Sequence, residues 1–315
     1  MKLLTHERQW RGGDTAVAFG MFDGVHLGHA RLMQKAVQLA RRDGLESVVY
    51  TFSTHPTATF APERVPLQLN TRSEKIREIA RQGIDVALLR PFDRDYAAQS
   101  PEAFVQAFCR ALHPRHVVIG FNYTFGCKGA GKAEDIIALG KRYGFETHVV
   151  DEVQLLGEPL SSTRVRAAVA QGDMQLVHAL LGRPYTLSGV VQRGKQLGRT
   201  LDFPTANLSW SADKAIPPSS VYAALADVGG RRYMAAVNIG SHPTAPGGGY
   251  TVEANLLDYD GGECYGSHMR LSFYARLREE RQFESLDALR DEVMRNRSQT
   301  RALFAGMTVK KPEIF

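Results

Sequence analysis

Through its first 183 residues the chain alternates short apolar runs with stretches whose apolar positions recur at helical spacing. DTAVAFGMF at 14–22 reads as a strand. ARLMQKAVQLARR at 30–42 reads as an amphipathic helix with Leu32, Met33, Ala36, Val37 and Ala40 on one side. The alternation continues through a strand at 46–52, a helix at 73–83 stopped by Gly83, a strand at 85–90 and a helix at 101–112 with Pro101 in its first turn. Strands at 116–120 and 145–151 enclose one more helix at 133–144. Strands separated by helices of this length predict βαβ units, hence a parallel sheet covered on both faces. SSTRVRAAVAQGDMQLVHALLG at 161–182 then reads as two short helices broken near Gly172.

The pattern changes after GRPY, and Pro184 is the natural seam. The runs at 186–194, 221–230, 231–240, 250–262 and 268–277 are β-rich and punctuated by Gly, Pro, Asn and Asp, with no helix between them. That texture predicts an antiparallel barrel or sandwich. Helical spacing returns only near 285–304, through Leu286, Leu289, Val293 and Leu303. The expected architecture is a Rossmann-like α/β domain over 1–183, then a small antiparallel β-barrel with a C-terminal helix over 184–315.

Composition supports two folded domains. The 315 residues compare with about 150 per domain. Apolar residues make up 43% and charged residues 23%, both ordinary for globular chains. No apolar run approaches the roughly 18 residues of a spanning helix, and MKLLTHERQW is charged too early for a secretory signal. A membrane or secreted protein is not expected. Cys109, Cys127 and Cys264 are odd in number, far apart and without CxxC spacing, which suits a reducing cytoplasm and neither a disulfide framework nor a zinc site. The net charge of +6 is spread: 23 Lys and Arg against 19 Asp and Glu up to residue 183, then 16 against 14. Nucleic-acid binding ordinarily shows as a concentrated patch, whereas a mild excess also suits an enzyme of polyphosphate anions.

Two segments carry candidate chemistry in the first half. GMFDGVHLGHARL places Gly20, Gly24 and Gly28 where backbone must turn tightly or approach a ligand, and sets His26 and His29 at the start of a helix. Free amides there favour phosphate, and two imidazoles add donors for developing charge. SSTRVR offers hydroxyls at Ser161, Ser162 and Thr163, with Arg164 and Arg166 just inside a helix. The second half has GVVQRGKQLGRTLDFPTANL, with glycines at 189, 194 and 198. The Thr205 hydroxyl and Asn207 amide oxygen in PTAN are hard donors that suit Mg²⁺ and phosphate, or else merely complete a local turn. Glu253 alternates with Val252 and Ala254 in YTVEANLL, a place where a carboxylate is ordinarily a solvated strand residue.

GMFDGVHLGH and SSTRVR resemble the two signature motifs of the nucleotidyltransferase superfamily. With THP at 54–56, SPEAFV at 100–105 and GFNYTFG at 120–126, the first half resembles the adenylyltransferase part of the prokaryotic bifunctional riboflavin kinase/FMN adenylyltransferase family. PTAN and the run VNIGSHPT…VEANLLDYDG…CYG resemble its riboflavin kinase part, so the likeness covers nearly the whole chain. It implies riboflavin plus ATP giving FMN, then FMN plus ATP giving FAD and pyrophosphate. It implies an adenylyltransferase ATP site from Gly20, Phe22, Asp23, Gly24, His26, His29, Ser162, Thr163 and Arg166, in which His26 and His29 are catalytic. Asn122 and Phe60 would meet the flavin. In the kinase, Gly194, Gly198, Thr205 and Asn207 would bind ATP, Thr205 and Asn207 would hold Mg²⁺, and Glu253 would be the general base. The implied partners are these small molecules and downstream apo-flavoproteins, with no nucleic acid and no membrane. Departures from the family pattern include Lys128-Gly129 for the common Gly-Arg, Asp202 and Ser220 for Gly, and Asn255 for His.

Overall fold

The computed structural model describes residues 1–193, 205–241 and 249–307. The chain divides into two compact units, Met1–Ser162 and Thr163–Phe315.

The first unit is built on a six-stranded parallel sheet. Its strands are β1 (Lys2–Leu4), β2 (Thr15–Phe19), β3 (Glu46–Phe52), β4 (Val86–Arg90), β5 (Pro114–Gly120) and β6 (Glu146–Val150), in the order β1-β4-β3-β2-β5-β6. All five residues of β2 are buried, as a central parallel strand requires. The period of two divides the sheet into two cores. Val17, Phe19, Val48, Tyr50, Val117 and Ile119 face the helices α5 (Pro101–Leu112) and α6 (Ala133–Tyr143), through Phe104, Phe108 and Ile136. Ala16, Ala18, Val49 and Val118 face α1 (Leu27–Asp43) and α3 (Arg72–Arg81), through Met33, Ala36, Val37 and Ile79. Helices therefore cover both faces, as the hydrophobic pattern predicts.

Four elements of this unit escape the pattern because they are too short to show a period: β1, α2 (Thr57–Phe60), α4 (Arg94–Ala97) and the hairpin of β7 (Gln154–Leu155) with β8 (Glu158–Pro159). The strand order reverses between β2 and β5. In such sheets the crevice beyond the carboxyl ends of the strands at the reversal is where ligands bind.

The second unit opens with α7 (Ser162–Gln171) and α8 (Met174–Leu181), separated at Gly172, whose φ is +75°. Among the described residues six antiparallel strands follow: β9 (Tyr185–Gln192), β10 (Thr205–Leu208), β11 (Ser220–Val228), β12 (Arg231–Ser241), β13 (Tyr250–Leu256) and β14 (His268–Glu279). They close into a barrel in the order β10-β13-β12-β11-β14-β9. Closure leaves the sheet no free edge. Helix α9 (Leu286–Phe304) packs Leu303 and Phe304 against Ala223, Leu225 and Met234, so these positions mark the outer face of the barrel. Helix α8 packs on β9 and β14 and buries Met174, Val177, Leu180 and Leu181. The Pro184 seam of the sequence reading falls after α8, and PTAN, readable as a turn, begins strand β10 at Thr205.

Candidate active sites

The loop after β2 is held in an uncommon backbone. Phe22, Gly24 and Val25 have φ of +49°, +81° and +42°. For a β-branched residue such as Val25 this region costs on the order of 1–2 kcal/mol, and the loop keeps the shape because it is anchored. Asp23 accepts hydrogen bonds from the amides of Leu69 (2.9 Å) and Asn70 (3.3 Å), while the Ser162 hydroxyl donates to the Asp23 carbonyl at 2.8 Å. A Cβ on Gly24 would lie 2.7 Å from Leu69, and one on Gly20 2.8 Å from the Phe22 ring. The glycines of this motif are therefore set by close packing as well as by backbone conformation.

His26 caps α1, its Nδ1 accepting the His29 amide at 3.2 Å. The two imidazoles stack, centroids 3.6 Å apart and 16° from parallel, and Phe22 meets His29 edge-on. Burial, then the neighbouring His26 and Lys75, hold the His29 pKa well below the usual imidazole value. Stacked rings cannot both take a proton cheaply, so His29 is a neutral imidazole at physiological pH. Its Nδ1 is shielded from solvent with no hydrogen-bond partner among the described residues. An orphaned buried ring nitrogen at a helix N-terminus is a place for a polar ligand.

His29 opens onto a cavity of about 470 Å³ at the carboxyl ends of β2 and β5. Gly20, Phe22 and His29 line one side of it, and Gly120, Asn122 and Gly126 another. Phe52, Phe92, Tyr96 and Tyr123 supply aromatic wall. A cavity of this size, mostly aromatic with a few polar groups at one end, suits a flat heteroaromatic ring carrying a phosphate. The structure thus brings His29 and Asn122 to one cavity. Phe60 stands apart from its lining, 63% exposed on α2. Thr163 and Arg166 lie on α7 and belong to the second unit.

Lys75 escapes sequence reading. It donates to the Phe52 carbonyl at 3.1 Å, and burial, opposed by Asp23, pulls its pKa down to about 8. The available signal was a lysine among Ile76 and Ile79 on the inward side of α3. The aromatic wall was also missed, because Phe52 and Tyr96 read equally well as core.

In the barrel, register does the assembling. Asn207 on β10 pairs with Glu253 on β13, and Glu253 pairs in turn with Asn238 on β12. Directly opposed residues of antiparallel strands project to the same side, Cβ atoms about 5 Å apart. Their parity matches that of Ala223 and Leu225, so Asn207, Glu253 and Asn238 form a half-buried polar row on the outer face. Thr205 shares that face, opposite Asn255. Asn238 is the member sequence reading missed, a lone amide in the apolar run of β12. Gly194, Gly198 and Asp202 lie outside the described residues. Two departures from the family pattern have partners: Arg276 donates to the Ser220 hydroxyl at 2.7 Å, and Arg297 of α9 to the buried Asn255 at 2.7 Å. Lys128 has φ of +53°, a left-handed position where the glycine common in the family is unstrained.

A helix N-terminus with paired histidines at the switch point of a parallel sheet is the arrangement of a nucleotidyltransferase, here joined to a six-stranded barrel with its own polar site. The family model of FAD synthetase matches residues 8–164, and that of riboflavin kinase matches 181–304. A bifunctional riboflavin kinase/FMN adenylyltransferase of Listeria monocytogenes is 34% identical over 301 residues, 95% of each chain. One of Escherichia coli K12 is 34% identical over 297 residues, 93% of each. A crystal structure named as a macrolide-efflux protein of Streptococcus pneumoniae superposes with a TM-score of 0.86 at 30% identity, covering 95% of this chain and 98% of that one. Among the described residues, no helix is long and apolar enough to cross a membrane. The chain belongs to the bifunctional riboflavin kinase/FMN adenylyltransferase family.

Proposed function

We propose that the chain phosphorylates riboflavin to FMN on the outer face of its barrel and adenylylates FMN to FAD in the cavity of its N-terminal unit, using ATP in both reactions. The observation that carries the assignment of the second reaction is the cavity at the strand-order reversal, with Asn122 and a neutral His29, whose Nδ1 has no hydrogen-bond partner among the described residues, on its walls. In adenylyl transfer an oxygen of the FMN phosphate attacks the α-phosphorus of ATP. The bond from that phosphorus to the bridging oxygen breaks, and pyrophosphate leaves. The nucleophile is already ionised, so the protein needs positioning and charge stabilisation and no side-chain base. His26 and His29 face the departing pyrophosphate, Lys75 adds charge nearby, Ser162 braces the loop through the Asp23 carbonyl, and Asn122 orients FMN. The triphosphate roles of Thr163 and Arg166, on α7 of the second unit, rest on the motif alone. Phe60 has no place in the cavity lining, and its flavin contact rests on the motif alone.

In the kinase reaction the ribityl 5′-hydroxyl attacks the γ-phosphorus and ADP departs. This nucleophile must lose a proton, and Glu253 receives it. Thr205 and Asn207 offer hydroxyl and amide oxygens beside the Glu253 carboxylate, an all-oxygen donor set that fits a hard cation. Mg²⁺ held there would neutralise charge on the transferring phosphate. Chromatographic separation of flavins over time, from protein with riboflavin, ATP and Mg²⁺, tests the reading. FMN should appear first and FAD after it. FAD without prior FMN, or no flavin conversion at all, would overturn it.

A further inference from the structure

A second cluster of titratable side chains lies in the N-terminal unit, away from the cavity. His116 stands near the start of β5, opposite Glu146 at the start of β6, and His148 lies two residues further along β6. Because His116 also pairs with Ala16 of β2, the cluster sits at the amino end of the sheet, about 13 Å of strand away from Gly20. His148 Nε2 is 3.1 Å from His116 Nδ1. A Glu146 carboxylate oxygen is 3.5 Å from His116 Nδ1 and 3.6 Å from His148 Nε2. Four donors bound tetrahedrally at about 2.0–2.1 Å stand roughly 3.3 Å from one another. The three atoms already have the separations of three corners of that tetrahedron.

The surroundings of His116 set its tautomer. Its Nε2 lies 2.6 Å from Asp43 Oδ2, and Asp43 is gripped by Arg42 at 2.7 and 2.8 Å. Arg42 Nη2 is also 3.5 Å from Nε2. An ionised carboxylate only accepts, so the neutral tautomer of His116 that fits Asp43 carries its proton on Nε2 and turns its Nδ1 lone pair towards His148 and Glu146. Hydrogen bonds from Arg42 and then from His116 hold the Asp43 pKa well below its usual value, which keeps it an acceptor. A carboxylate that fixes the far nitrogen of a histidine is the support that metal-bound histidines ordinarily have. His116 is buried, His148 is 16% and Glu146 64% exposed at the side chain, which leaves a fourth corner towards solvent.

We propose that His116, His148 and Glu146 bind Zn²⁺, with Asp43 orienting His116, at a site distinct from both reactions. The ion would fasten β5 to β6 and, through Asp43, to the carboxyl end of α1. Two imidazoles and one carboxylate suit this borderline cation better than Mg²⁺, which takes oxygen donors.

Tag-free, full-length protein stripped with a chelator and dialysed into excess Mg²⁺ would be titrated with Zn²⁺, with Co²⁺ as a spectroscopic probe. Wild type should bind one equivalent that His148→Gln lacks, and Co²⁺ should give the intense visible bands of a four-coordinate site. Asp43→Asn should weaken Zn²⁺ affinity about ten- to a hundredfold, and Glu146→Gln, at an exposed position, should weaken it while leaving the metal-free fold intact. Zn²⁺ at a hundred times its Kd should shift the unfolding equilibrium of wild type about a hundredfold and that of His148→Gln not at all. His29→Gln should retain the equivalent. No bound Zn²⁺, binding that survives His148→Gln, or binding lost in His29→Gln would overturn the proposal. In the first case the His148–His116 contact is an ordinary hydrogen bond, and in the last the ion belongs to the ATP site.

Discussion

The two units handle the same cosubstrate with different materials. In the parallel-sheet unit the polar groups are local in sequence: a glycine-rich loop, two histidines one turn apart, and a helix start. The one carboxylate of that motif, Asp23, is occupied with the amides of Leu69 and Asn70 and so acts as a brace. In the barrel the groups come from separate strands, and the carboxylate of Glu253 stands in a half-buried row beside Asn207 and Asn238. The difference follows the nucleophile. A phosphate oxygen attacks without help, whereas a primary hydroxyl must shed a proton, so a base is needed on one side only.

Removing the proposed base, Glu253, should have the largest effect. Glu253→Gln preserves size and hydrogen bonding but not basicity, and FMN formation should fall by about 10² to 10⁴. FAD formation from supplied FMN should continue at the wild-type rate, read on the same chromatogram. Near-normal kinase turnover would return Glu253 to the role of a solvated strand residue. His29→Ala is the converse. Loss of a charge-stabilising donor should lower FAD formation by about 10² to 10³ and leave riboflavin phosphorylation intact. Equal loss of both activities would mean that His29 supports the fold.

The contrast in materials also decides what could be read from the sequence. Strand and helix alternation named the first unit, because each βαβ element carries its own period, and HxGH announced itself by proximity. The assembly of the barrel site was legible only as separate motifs. Which residue faces Glu253 depends on the register of β10 against β13, and a slip of one residue would turn Asn207 to the other face. Lys75 and the Phe52, Phe92, Tyr96 and Tyr123 wall were hidden for a related reason. Distant elements deliver them to the cavity, and an aromatic beside a ligand has the same local pattern as one in a core. The left-handed φ of Phe22 and Val25 had no signal either, since neither residue type favours it.

A sharper question is where the two units part. Helix α8 buries Met174, Val177, Leu180 and Leu181, packing against β9 and β14, so a fragment starting at Pro184 leaves that part of the barrel uncovered. A fragment starting at Thr163 keeps it. Allowing for the entropy of ordering the helix, the longer fragment should be more stable by roughly 2–4 kcal/mol. Both should phosphorylate riboflavin at low temperature, and neither should make FAD. Equal denaturant midpoints would move the working boundary back to Pro184.

The smallest effect separates the units by pH. The Lys75 amine, with its pKa near 8, stands close enough to His29 to depress its pKa. Below pH 8 it is a cation ready for a polyanion, and above that it loses its proton in the free enzyme. The KM for ATP in adenylylation should therefore rise from about pH 8 upward, by at most about tenfold per pH unit, while the kinase KM need not follow. Stability should move the opposite way. The unfolded chain holds a proton on this amine up to its ordinary value of 10.5, so between about 8 and 10.5 it binds more protons than the fold. The contribution of Lys75 to stability thus increases with pH across that window, and its full cost, on the order of 3 kcal/mol, is present below it. Lys75→Met should remove both slopes at once, stabilising the ATP-free protein at pH 7 while weakening ATP use in FAD formation. If the variant keeps the wild-type rise in KM, the charge that ATP senses belongs to another group, and Lys75 is only a strut between α3 and the Phe52 carbonyl.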